Sequence, residues 1–186
     1  MGPARAGHDV LALGSARLPL RPAGAPPPRA APGGRRQRGP LSAPPPSRPL
    51  PDRPYVGVGG VVFIDGRVLL IRRGKEPLRG RWLIPGGTVE LGETLQEALV
   101  REVQEETSVT VRPREVVLVF DRIHREGESV VYHYVIVDYL CDYVAGEPRA
   151  GSDAEAVALV AAGDLDRYDL PPQARDLVLD VFHRRV

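Results

Sequence analysis

The feature that most limits how this chain can fold is a break in its character near residue 54. Before it the sequence reads "RPAGAPPPRAAPGGRRQRGPLSAPPPSRPLPDRP", built from Pro, Ala, Gly and Arg with almost nothing large and apolar to bury. Such a segment cannot offset the entropy of ordering its own backbone, so residues 1–54 are expected to form a disordered tail. Residues 55–186 have ordinary globular character. About 130 residues can bury roughly two-thirds of their unfolded surface, enough for one core. Charge divides at the same place. The tail holds nine arginines against Asp9 and Asp52, about +7, which leaves about −6 for the rest of a chain whose net charge is +1.

Several functions are disfavoured for the tail. The apolar piece "VLALGSARLPL" is short and broken by Gly14, Ser15 and Arg17, unlike a secretory signal. Its prolines oppose the amphipathic helix of an organellar transit peptide. No aromatic residue is interleaved with its arginines to stack on bases, so a nucleic acid polymer is not an expected partner. Dispensability is the simplest reading. No run in the chain approaches the roughly 20 apolar residues of a membrane span, and no membrane partner is expected. Cys141 is the single cysteine, which excludes an intrachain disulfide and a cysteine metal cluster and fits a reducing, cytoplasmic setting.

Past residue 54, strand and helix patterns are interspersed. "YVGVGGVVFI" and "RVLLIRR" read as two strands joined by Asp65-Gly66, a strong hairpin signal. "GKEPLRGRW" reads as a loop, and a short apolar piece follows, broken at Pro85-Gly86-Gly87. Leu95, Ala98, Leu99 and Val103 repeat at helical spacing, which predicts a helix over 94–107. "VTVRPREVVLVFDRI" and "VVYHYVIVDYLCDYV" are β-rich with a turn at "REGE", and "AVALV" reads as a last short strand. "PPQARDLVLDVFHRR" closes as an amphipathic helix with Pro171 and Pro172 at its start. A mixed sheet with two helices makes an α/β domain.

The first helix carries a conflict. Glu102, Glu105 and Glu106 stand at i, i+3 and i+4, off the apolar stripe and toward the C-terminal end. Like charges at those spacings cost roughly 0.2–0.5 kcal/mol each, and negative charge there opposes the helix dipole. Hard divalent cations such as Mg²⁺ take oxygen ligands, and a carboxylate cluster suits them. Arg101 lies four residues from both Glu97 and Glu105 and eight after Glu93, placed to pair with carboxylates and fix their orientation. Three glutamates alone are more often a solvated face.

The wider pattern outweighs that reading. From Gly87 the chain runs Gly, five residues, Glu93, seven residues, Arg101-Glu102-Val103, one residue, Glu105-Glu106, two residues, Val109. This resembles the signature of the Nudix hydrolase family, and "WLIPGG" resembles its lead-in. One position departs: Ser108 stands where the family has glycine, a residue suited to a left-handed cap after a helix. The resemblance implies a Nudix-type α/β/α sandwich with a mixed β-sheet over residues 55–186. It implies Mg²⁺ or Mn²⁺ bound by Glu102, Glu105, Glu106 and the Gly87 carbonyl, with Glu93 and Arg101 bracing the site. It implies hydrolysis of a nucleoside diphosphate linked to another moiety, by water attacking phosphorus, and a small-molecule nucleotide as partner. The general base is left open among the box glutamates and Glu126, Glu128, Asp153 and Glu155. Dimers are common in the family, which makes a homodimer an expectation.

Within the resemblance, the short ADP-ribose pyrophosphatase-like branch is favoured by "GRWLIPGGTVELGET" and "YHYVIVDYLC". Alternatives are a sanitiser of oxidised or non-standard nucleoside triphosphates and a non-catalytic ligand-sensing module. The sensing module is disfavoured because every box glutamate is present. Outside the box, Arg72, Arg73, Arg79 and Arg81 flank the loop before Trp82; Arg73 and Arg81 are candidates for substrate phosphate or ribose. His133 is a further substrate candidate, on the strand face opposite Tyr132 and Tyr134. For His133 a packed, hydrogen-bonded role is the commoner one, and for Trp82 a core role. "GVGGVV" lacks the third glycine and following helix of a dinucleotide fingerprint; strand glycines more often mark close packing.

Overall fold

The structure, a computed structural model, describes residues 51–75, 78–151 and 153–184. The tail expected over residues 1–54 lies outside the described residues as far as residue 50.

Strands β1 (Tyr55–Ile64) and β2 (Arg67–Arg73) form the hairpin that the Asp65-Gly66 turn predicts. Both turn residues have positive φ, 49° and 74°, a turn whose twist matches that of the paired strands. Beyond the hairpin's closed end β2 leaves β1. Strand β3 (Trp82–Leu83) pairs with β2, and β4 (Gly86–Thr88) fills the place beside β1, with Gly59 opposite Gly86 and Val58 opposite Gly87. A Cβ on Gly86 would stand 2.1 Å from the Val58 carbonyl oxygen, so only glycine allows β4 to close there.

Strands β5 (Thr110–Glu126) and β6 (Ser129–Ala145) form a long antiparallel hairpin. β6 runs parallel to β1, from Tyr55 opposite Tyr134 to Phe63 opposite Asp142. β7 (Ala154–Val160) pairs antiparallel with β2. The sheet order is β3-β2-β1-β6-β5, with β4 on β1 and β7 on β2, mixed as expected.

Two helices cover the sheet, α1 (Leu95–Thr107) and α2 (Pro172–Arg184). Adjacent residues of β1 show the layering. Val62 packs with Leu99 and Val103 of α1, whereas Val61 packs with Leu177, Val178 and Val181 of α2. The sheet therefore lies between the helices, the α/β/α arrangement that the resemblance implies. A 3-10 helix (Ala162–Arg167) was not anticipated; it buries Leu165 and leads to Tyr168, whose ring meets buried Trp82 edge-on at 5.0 Å. Among the described residues no helix is long and apolar enough to cross a membrane.

The start of α1 corrects one expectation. Thr94 accepts from the Glu97 amide at 3.2 Å, and Glu97 accepts from the Thr94 amide at 2.8 Å, a capping box. Glu97 satisfies helix-end donors in place of pairing with Arg101. At the other end Ser108 takes the left-handed conformation, φ 59° and ψ 18°, and its N–H donates to Gln104 O at 2.9 Å.

Candidate active site

The three glutamates of α1 sit in three different environments. Glu105 is exposed, Glu102 is half-buried against β4, and Glu106 is only 5% exposed. The sequence placed all three off the buried stripe, and for Glu106 that is corrected. Glu106 reaches β4 at its two glycines, and its Oε2 accepts from the Gly86 N–H at 2.9 Å. Gly87 makes the same kind of room for Glu102, because a Cβ on Gly87 would stand 2.3 Å from the Glu102 carboxyl carbon.

Arg101 ties these groups together. Its Nη2 donates to Glu93 Oε1 at 2.7 Å and to Thr88 O at 3.1 Å, and its Nε donates to Glu93 Oε2 at 3.2 Å. Its Nη1 donates to Glu102 Oε1 at 2.8 Å and lies 3.7 Å from Glu105 Oε2. The bidentate pair with Glu93 anchors the loop before α1 to the helix, and the same guanidinium fixes Glu102. The C-terminal carbonyls of α1 are covered by the loop after β6: Arg149 N–H donates to Thr107 O at 2.9 Å and Gly151 N–H to Glu106 O at 3.0 Å. That loop continues to Asp153.

Burial and repulsion set the electrostatics. Burial pushes the Glu106 carboxyl from 4.5 up to about 7, against the Gly86 hydrogen bond, with Glu102 adding to the rise. Burial also raises Glu102, opposed by Arg101 and assisted by Glu105 and Asp153. Glu93 is lowered, chiefly by its hydrogen bond from Arg101. Two desolvated acids that repel each other are poised to gain from a nearby positive charge.

A cavity of about 200 Å³ opens beside β4, toward the start of α2. Its floor includes Gly57, Gly59, Ile136 and Asp138, and Phe120, Arg122, Tyr132 and Tyr134 extend it along β5 and β6. Gly86 and Gly87 form the wall shared with the glutamates, and Arg73, whose charge is felt by Glu106, also lines it.

The residues singled out in the sequence are thus divided. Glu93, Arg101, Glu102, Glu105, Glu106 and Gly87 come together, and Arg73 lines the cavity with its charge felt by Glu106. Arg81 and His133 do not line it. Arg81 pairs with Asp169 at 3.1 Å, and His133 Nε2 lies 3.1 Å from Asp121 Oδ1. Arg72 and Arg79 both lie against Glu155. Among the later acids, Asp153 pairs with Lys75 at 2.6 Å and its charge reaches Glu102 and Glu106. Glu126 and Glu128 lie at the β5–β6 turn. Sequence reasoning missed Asp138, Phe120 and Arg122 as cavity residues. An acid inside the apolar run "VIVDYLC" was the available signal for the first.

A model of the NUDIX domain matches residues 53–181. The chain belongs to the Nudix hydrolase family. It is 36% identical to the ADP-ribose pyrophosphatase of Methanocaldococcus jannaschii over 123 residues, 66% of this chain and 68% of that one. It is 34% identical to the putative 8-oxo-dGTP diphosphatase 2 of Mycobacterium tuberculosis over 127 residues, 67% of this chain and 85% of that one. Among solved structures, the MutT NUDIX hydrolase from Burkholderia pseudomallei aligns with a TM-score of 0.59 at 32% identity, covering 70% of this chain and 99% of that one.

Nudix hydrolases generally use a divalent metal. The donors here fit one by chemistry: hard carboxylate oxygens, two of them desolvated, facing a glycine stretch that leaves room at Gly87. Among the described residues no three acidic, histidine or cysteine side chains stand in a ready ligating arrangement. In the present contacts Arg101 holds Glu102, and the Gly86 amide holds Glu106.

Proposed function

We propose that this Nudix pyrophosphohydrolase acts on a nucleoside diphosphate linked to a second moiety, of the ADP-ribose or nucleotide-sugar type. The observation that carries the reading is the shared wall of Gly86 and Gly87. On one side stand Glu102 and Glu106, and on the other an aromatic-rimmed cavity with room for part of a nucleotide. The similarity to an ADP-ribose pyrophosphatase supports the substrate class.

In this reading Glu102, Glu105, Glu106 and the Gly87 carbonyl hold Mg²⁺ or Mn²⁺. When bound, the metal neutralises the diphosphate, lowers the pKa of a water and stabilises the leaving oxygen. Arg101, locked by Glu93, keeps Glu102 turned toward Gly87. Arg73, at the edge of both regions, binds substrate phosphate. Asp153 is the later acid best placed to take the attacking water's proton, because its charge reaches both buried glutamates. Residues 1–54 are assigned no part in this reading, and deleting them should leave turnover and melting temperature nearly unchanged.

The similarity to an 8-oxo-dGTP diphosphatase favours a second reading, hydrolysis of oxidised nucleoside triphosphates. One screen separates the two. Product release is measured with Mg²⁺ on ADP-ribose, other nucleotide sugars, dinucleoside polyphosphates and 8-oxo-dGTP. The proposal expects the highest kcat/KM on ADP-ribose or a nucleotide sugar. A clear preference for 8-oxo-dGTP establishes the second reading in its place.

A further inference from the structure

One acid in the cavity is left over by the proposed chemistry. Asp138 is 5% exposed, lines the cavity floor, and among the described residues no hydrogen bond reaches its carboxylate. Buried charged groups are costly unless partnered, so an unpartnered one at a cavity is a strong pointer to a ligand. The fold also makes room for it. Asp138 stands opposite Gly59 in the parallel β1–β6 pair, and a Cβ on Gly59 would lie 2.3 Å from its Oδ1. Arg122 is the cation that acts on it at a distance, yet burial prevails and pushes its carboxyl up to about 6. At neutral pH it is therefore mainly a hydrogen-bond acceptor.

The cavity around it suits a flat ring. Gly57 and Gly59 add no side chains of their own to the floor, the Asp138 carboxylate takes the room over Gly59, and Ile84, Ile136 and Phe120 supply apolar contact. A nucleobase placed there turns an edge toward Asp138. Adenine and guanine carry an exocyclic amino group that donates to a carboxylate, whereas hypoxanthine presents a carbonyl oxygen or a bare C–H at those positions.

We propose that Asp138 is a specificity-determining residue that accepts a hydrogen bond from the exocyclic amino group of the substrate's base, selecting amino-bearing purines over hypoxanthine. This rests on the reading of the substrate as a nucleotide whose base enters the cavity, and it adds a selection rule that the glutamate cluster cannot supply. A site built around a hydrogen bond rejects the analogue that leaves its buried group unpaired.

The test is binding of mononucleotides to the full chain by calorimetry, for wild type and Asp138→Asn, using AMP, GMP, IMP and the 2′-deoxy forms of the first two. Wild type is expected to bind AMP or GMP at least tenfold more tightly than IMP. Asparagine, which can also turn its amide N–H₂ toward a carbonyl, is expected to reduce that ratio to within about threefold. The deoxy forms should keep the wild-type preference. No preference over IMP, an unchanged ratio in Asp138→Asn, or no binding of any mononucleotide overturns the proposal. So does a loss in the deoxy forms that matches and replaces the Asp138→Asn effect, which would assign the carboxylate to ribose. Turnover of ADP-ribose and its hypoxanthine counterpart is followed in parallel. Absent turnover with the preference intact defeats the catalytic reading alone, and normal turnover with no preference defeats only the role of Asp138.

Discussion

Gly87 and Glu102 approach so closely that a Cβ on the glycine would stand 2.3 Å from the glutamate's carboxyl carbon. What a side chain meets there is the tip of a flexible residue, not backbone. Gly87→Ala should therefore fold with little loss of stability while driving the Glu102 carboxylate out of position and off Arg101. A fall in kcat of roughly tenfold to a hundredfold is expected, since each 1.36 kcal/mol of barrier is about a factor of ten. Steady-state kinetics with Mg²⁺ and a melting curve together check it. A variant with wild-type kcat would mean that the position of Glu102 does not matter for turnover.

Glu106→Gln tests the buried carboxylate itself. The substitution keeps the shape and can keep a hydrogen bond from the Gly86 amide, but it removes a charge that burial disfavours. At neutral pH the metal-free variant should be at least as stable as wild type. Turnover should fall roughly a hundredfold or more if the charge is a metal ligand. Glu97→Ala is the contrasting control: loss of the capping box with Thr94 should cost about 1 kcal/mol of stability and leave kcat within about threefold. Equal kcat in wild type and Glu106→Gln would place the metal elsewhere.

Ser108 gives a prediction about stability alone. It holds φ 59° after α1, a conformation that strains residues with a Cβ. Ser108→Gly should relieve about 1 kcal/mol of that strain, less what glycine adds to the freedom of the unfolded chain, for a net gain of roughly 0.5 kcal/mol. Urea denaturation resolves such a change. Destabilisation would show that the serine side chain makes a contact worth more than the strain.

The sequence made the backbone plan legible wherever the local signal was strong. Asp65-Gly66 specified the β1–β2 turn, the spacing of Leu95, Leu99 and Val103 specified α1, and Pro172 marked the start of α2. The contact of Arg101 with Glu93 was legible too, through the resemblance, whereas its hold on the adjacent Glu102 was not, because neighbours in sequence on a helix do not ordinarily face each other. What could not be read was long-range. Glu106 is buried because β4, twenty residues earlier, crosses α1 with two glycines. Arg81 and His133 were drawn away from the cavity by Asp169 and Asp121, partners that spacing does not reveal. Asp138 faces Gly59 only because β6 runs parallel to β1, a pairing between segments nearly eighty residues apart.

Asp138 also gives a pH prediction that is independent of what it binds. Burial, the largest influence, raises its carboxyl from 3.8 to about 6, with Arg122 acting in the opposite direction. Between those values the folded protein holds a proton that the unfolded chain has released. Where the folded state binds more protons, stability falls as pH rises. The contribution is therefore fully present below about pH 3.8 and lost by the time pH has passed about 6. At 1.36 kcal/mol per unit, the ceiling on that loss is about 3 kcal/mol. Asp138→Asn has no proton to lose, so comparing it with wild type cancels the titration of all other acids. The two should unfold at similar urea concentrations near pH 4. Near pH 7.5 the variant should be more stable by about 1–3 kcal/mol. A variant that is less stable at pH 7.5 would mean that the Asp138 carboxylate is held by favourable contacts, in which case its burial is structural and the cavity does not depend on leaving it free.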